Sequence, residues 1–108
     1  MKQIKENITF LKAVALLSKD QVKAILSHIS KSQILAVVEI ARNILTGIVT
    51  LKRGYKKSLK LYKRVIRDLA DKHATLNTRR HLITSKADVI TLLIKSVLPK
   101  LVAVVGHG

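Results

Sequence analysis

The sequence predicts an all-α fold: a compact bundle of four to five helices, one of them strongly basic and amphipathic, in a single domain covering 1–108. Three observations predict it. Aliphatic residues recur at steps of three and four along most of the chain, the spacing that lines one face of a helix. One Pro and four Gly leave few interruptions, which argues against a strand-and-turn architecture and against disorder. Ser followed three residues later by Gln or Asp occurs at Ser18, Ser30 and Ser85, the pattern of a capping box at a helix start. Aromatic residues make up only 3% of a chain that is 48% hydrophobic, so the core must be built from Leu, Ile, Val and Ala.

Residues 1–6 are polar and are expected to fray, as are 106–108. From Asn7, read as an N-cap, Ile8, Leu11, Val14 and Ala15 trace a short first helix. Ser18 with Gln21 starts a second near Lys19, with Val22, Ile25, Leu26 and Ile29 as its apolar face. Ser30 with Gln33 starts a third near Lys31, carrying Ile34, Leu35, Val37, Val38, Ile40, Ala41, Ile44 and Leu45. Only Glu39, Arg42 and Asn43 are expected outward on it. A helix apolar on most of its surface belongs at the centre of a bundle or across an oligomer contact. Gly47 stands where a C-terminal cap is needed, and 48–51 reads as a connector.

The basic helix is expected over about 52–74. Between Leu51 and His81 lie eleven Lys and Arg against two Asp, a net +9 of the chain's formal +15. Tyr55, Leu59, Tyr62, Ile66 and Leu69 form one apolar stripe on it, with the tyrosine hydroxyls at the rim. Thr75, Leu76 and Asn77 are expected to break this helix. Thr78 would then cap a short turn over 79–83, docking Leu82 and Ile83 and leaving Arg79, Arg80 and His81 outward. Ser85 with Asp88 opens a final helix of Val89, Leu92, Leu93, Val97 and Leu98. Pro99 is expected to kink or stop it, leaving 101–105 as an exposed apolar end. The third and final helices are expected to be central, with the basic helix laid over them.

Composition also restricts chemistry. The chain has no Cys, so disulfides and thiolate metal sites are excluded. His28, His73, His81 and His107 lack ligand spacing, and no nucleophile motif, glycine-rich phosphate loop or carboxylate pair is present. No enzymatic activity, cofactor, metal or small-molecule substrate is expected. The opening residues fit a signal peptide poorly, because Lys12 interrupts the apolar run. The greasiest segment, 89–105, holds Lys95, Pro99 and Lys100 and falls short of the ~20 apolar residues a membrane span needs. The chain therefore reads as soluble and intracellular.

A formal charge of +15 implies a polyanionic partner. The expected function is sequence-independent nucleic-acid binding, with DNA ahead of RNA, through Lys52, Arg53, Lys56, Lys57, Lys60, Lys63, Arg64, Arg67, Arg79 and Arg80. Two other classes stay open. One is a membrane-active protein lying on anionic lipid; the other is a structural, oligomeric helical interaction protein. Apolar surface in excess of what a small domain buries predicts self-association.

Over 59–98, LKLYKRVIRDLADKHATLNTRRHLIT and the apolar helix behind it resemble small basic helical proteins of Maverick or Polinton-type DNA elements and adintovirus-like viruses of animals. The likeness is carried by Tyr62-Lys63, by Ile66-Arg67-Asp68-Leu69-Ala70, by Leu76 before the basic turn and by Leu82-Ile83. The segment 40–51 with Gly47 resembles the part that precedes that helix in the family. Ser85, Lys86 and Ala87 depart from it, because related sequences often carry a glycine pair there. The resemblance implies a virion or element-associated protein, a genome-binding core component, placed in the virion or the host nucleus.

Overall fold

A capping box needs partners only three residues apart, and both serine-glutamine boxes form. The Gln21 and Gln33 amides donate to the Ser18 and Ser30 hydroxyls, while the serine amides donate to the glutamine side chains at 3.0 Å. The helices behind them start at Lys19 and Lys31, as expected. The computed structural model describes residues 1–47, 54, 60 and 62–105. It places seven helices among them: α1 (Lys2–Glu6), α2 (Ile8–Leu16), α3 (Lys19–Leu26), α4 (Lys31–Leu45), α5 (Lys63–Ala70), α6 (Leu76–Ser85) and α7 (Ala87–Val105). The described residues contain no strand. The all-α expectation holds, and the helix number exceeds the expected four to five.

The additional helices come from two short segments. Residues 1–6, expected to fray, form α1 instead, because Ile4 is fully buried in the core. The Glu39 carboxylate of α4 accepts the Gln3 and Ile4 amides, each at 3.4 Å, so the start of α1 is tied to the central helix. Asn7 precedes α2 as expected, but its side chain does not cap it. Its Nδ2 donates to the Gln3 carbonyl at 2.8 Å and to the Ser32 hydroxyl at 2.9 Å, stapling the α1–α2 corner to the start of α4. The expected turn over 79–83 is a ten-residue helix, α6, capped by Thr75 rather than Thr78: the Thr78 amide donates to Thr75 Oγ1 at 3.1 Å.

α4 and α7 are the hubs. α4 packs against α1, α5, α6 and α7, while α7 packs against α2, α3, α4 and α6. Both faces of α4 are used, through Ile34, Val37, Val38, Ile40 and Ala41. Asn43, expected outward, is buried in the same helix, with its Nδ2 lacking a hydrogen-bond acceptor. α4 ends on Gly47 at φ +75°, a conformation glycine adopts without the penalty a Cβ imposes, and the Gly47 amide closes on the Ile44 carbonyl at 3.2 Å.

α7 corrects two expectations. Ser85 is the last residue of α6, and its hydroxyl donates back to the Leu82 carbonyl, so it caps nothing ahead of it. Asp88 pairs instead with Lys19 of α3 at 3.4 Å. Pro99 does not stop the helix, since α7 continues to Val105, and Leu101 of the expected apolar end is buried while Ala103 is exposed. A proline inside a helix costs about 3 kcal/mol. Here Pro99 and Lys95, whose carbonyl it deprives of a partner, both lie on the exposed side of the helix. Val97 and Leu101, buried on either side, hold the helix in register.

The radius of gyration is 12.6 Å, close to the ~13 Å of a well-packed chain of about 100 residues. Large exposed hydrophobic side chains are scattered among the described residues, at Met1, Leu16, Leu45 and Tyr62. Scattered single residues of this kind are ordinary surface. Among the described residues, the apolar side chains of α7 largely join the core. Among the described residues no single helix is long and apolar enough to cross a membrane.

Candidate nucleic-acid interface

α5 is anchored by two buried apolar residues and carries three cations. Ile66 and Leu69 lie three apart and bury against α4 and α6. Lys63, Arg64 and Arg67 fall within about 100° of arc on a different side, and all three are exposed, as is Lys60 just ahead of them. Asp68 is the acidic residue on this helix, 4.0 Å from Arg64. Both side chains are largely in solvent, so the pair contributes little and leaves Arg64 available. The amphipathic expectation thus holds over Lys63–Ala70. Lys52, Arg53, Lys56, Lys57, Tyr55 and Leu59, with the connector over 48–51, lie outside the described residues. So do 106–108.

The helix ends earlier than expected, at Ala70 rather than near Ala74, because Asp71 leaves helical geometry and caps it. The Asp71 carboxylate accepts the His73 amide at 2.9 Å, an Asx-type turn that redirects the chain toward α6. Two arginines remote in sequence then converge on the helix terminus. Arg42 Nε of α4 donates to the Ala70 carbonyl at 3.3 Å, and Arg79 Nη2 of α6 donates to the Asp71 carbonyl at 2.7 Å. Guanidinium groups at a helix C-terminus satisfy its free carbonyls and complement its dipole.

This arrangement corrects the placing of Arg79, expected outward with Arg80 and His81. Arg79 is only 9% exposed and its charge is committed to the end of α5, so it drops out of the accessible basic surface. Burial lowers its pKa, the neighbouring Arg42 lowers it further, and Asp71 partly opposes both. An arginine nevertheless stays charged in water at ordinary pH. Arg80 is half-buried, with its Nε lacking an acceptor, and His81 is exposed. Arg79→Ala is expected to cost about 1.5–3 kcal/mol in denaturant unfolding, the worth of a hydrogen bond from a charged donor. Its effect on nucleic-acid affinity should be small beside that of changing Lys63. A large loss of affinity with unchanged stability would return Arg79 to the binding surface.

No family model, curated protein or solved structure matches this chain.

Other cations are spread over the molecule, with Lys2, Lys12, Lys31 and Lys95 exposed on α1, α2, α4 and α7. What distinguishes α5 is density: three cations in five residues, backed by an apolar face that fixes their direction. Among the described residues no group of three or more His, Asp or Glu could hold a metal ion.

An open groove of about 540 Å³ adjoins the start of α5, lined by residues of α3, α6 and α7 together with Tyr62, Lys23 and Lys86. Sequence reasoning missed it, because its walls come from four segments that only folding brings together. It also missed the helix-capping arginines. A Lys or Arg at a helix C-terminus is legible when it is local, but Arg42 and Arg79 reach α5 from other helices.

Proposed function

We propose that this protein is a non-enzymatic, sequence-independent nucleic-acid-binding protein, acting through the exposed face of α5 and suited to compacting or packaging a genome within a virion or element particle. The observation that carries this reading is the cluster of Lys63, Arg64 and Arg67 on one side of a helix whose other side is anchored by Ile66 and Leu69. A formal charge of +15 supports it, since so positive a surface draws in polyanions from a distance. Lysine and arginine on phosphates release condensed counterions, and that release supplies most of the affinity of a binder that does not read bases. DNA is the first partner to test and RNA the second.

The test is fluorescence anisotropy with labelled duplex and single-stranded oligonucleotides at two salt concentrations, run beside anionic vesicles. Micromolar or tighter binding is expected at low salt. Its logarithm should fall linearly with log salt and vary little with sequence. Vesicle binding with indifference to nucleic acid would replace this reading with a membrane role. Indifference to both, with an oligomer that survives high salt, would replace it with a structural one.

A further inference from the structure

The groove beside α5 combines an aromatic side chain with lysines and hydroxyls. One wall is the ring of Tyr62, 38% exposed, where the described hydrophobic side chains are mostly buried. Its lining includes two exposed lysines, Lys23 of α3 and Lys86 between α6 and α7. Three hydroxyls complete it, and each has its proton committed to its own helix. Ser27 donates to the Ala24 carbonyl at 2.6 Å, Thr84 to the Arg80 carbonyl at 3.1 Å and Ser85 to the Leu82 carbonyl at 3.3 Å. What these hydroxyls have left to offer a ligand is their acceptor lone pairs. Asp88 also borders the groove; its carboxylate lies 3.4 Å from Lys19 with both side chains largely in solvent, so this edge stays anionic and the phosphates belong on the side of Lys23 and Lys86.

An aromatic face, acceptors for N–H groups and cations in the lining match the parts of one nucleotide: the base plane, its amino or imino edge, and its phosphates. At about 540 Å³ and open to solvent, the groove has room for one base with its backbone left outside. Tyr62 immediately precedes Lys63 in the chain, so the groove lies at the N-terminal end of α5, on the side of Ile66 and Leu69. A base paired within a duplex cannot present its face to a side chain, whereas an unpaired base can. From these observations we infer that the groove takes one unpaired base of a single-stranded nucleic acid, stacked on Tyr62, with flanking phosphates on Lys23 and Lys86. The inference rests on the nucleic-acid reading of α5 and adds to it a preference for single strands.

The experiment compares a labelled single-stranded oligonucleotide with a blunt duplex of the same sequence. Four proteins are tested: wild type, Tyr62→Ala, Tyr62→Phe and the pair Lys23→Ala with Lys86→Ala. Circular dichroism checks that each is folded. Base stacking on an aromatic residue predicts that Tyr62→Ala weakens single-strand binding about tenfold and leaves duplex binding nearly unchanged. Tyr62→Phe should retain the wild-type preference, since the ring and not the hydroxyl stacks. The lysine pair should weaken single-strand binding and flatten its salt dependence, and it carries the test if Tyr62→Ala does not fold. Binding of both forms that Tyr62→Ala and the lysine pair leave intact, or reduce equally, overturns the groove while sparing the α5 reading. No binding of either form by the wild type overturns both.

Discussion

Reversing charge at Lys63, Arg64 and Arg67 together is expected to lower nucleic-acid affinity by at least ~100-fold near physiological salt, because three phosphate attractions are replaced by three repulsions. The three side chains are exposed and Ile66 and Leu69 remain in place, so α5 should still dock. The slope of log affinity against log salt should also flatten, by about 0.9 for each duplex phosphate that the variant no longer neutralises. A matched control separates a local site from the general field of the molecule. Glu at Lys2, Lys12 and Lys95 makes the same change in net charge on α1, α2 and α7. If that control loses as much affinity as the α5 variant, the binding surface is the whole protein and α5 holds no special place. A tenfold or larger difference between the two assigns the binding to α5.

The largest effect on stability is expected at the centre of α7. Leu93 is fully buried in the core where α7 meets its neighbours. Leu93→Ala removes buried methylene groups and leaves a cavity, at a cost of about 2–5 kcal/mol. In a domain of this size each kcal/mol moves the melting temperature by about 4–8 °C, so a fall of about 10–30 °C is expected in thermal unfolding followed by circular dichroism. Leu16→Ala is the comparison. Leu16 is 86% exposed on α2, and its loss should change stability by no more than about 0.5 kcal/mol. Equal effects at the two positions would mean that α7 is not the structural axis of the fold.

Both predictions trace to different depths of legibility in the sequence. The starts of α3 and α4 were readable to the residue, because a capping box is complete within four positions of chain. The same pattern at Ser85 and Asp88 misled, since α6 runs through Ser85 and takes its hydroxyl for the Leu82 carbonyl, while Asp88 finds Lys19 across the fold. Residues 1–6 looked frayed by polarity alone. One isoleucine and the Glu39 carboxylate of a distant helix are enough to order them. The accessible cations of α5 were legible from the alternation of Ile66 and Leu69 with charge. The fate of Arg79 was not, because its partner is a backbone carbonyl that appears only where α5 ends.

Sequence alone determined that this protein is helical, that its helices are glued by aliphatic side chains, and that its positive charge crowds one segment. Those properties follow from composition and from interactions within a turn or two of chain. Tertiary structure decided which cations face water, that α7 passes through Pro99, and that Tyr62, Lys23 and Lys86 share a groove. Each of these depends on what lies opposite a residue in space, and packing between remote segments sets that.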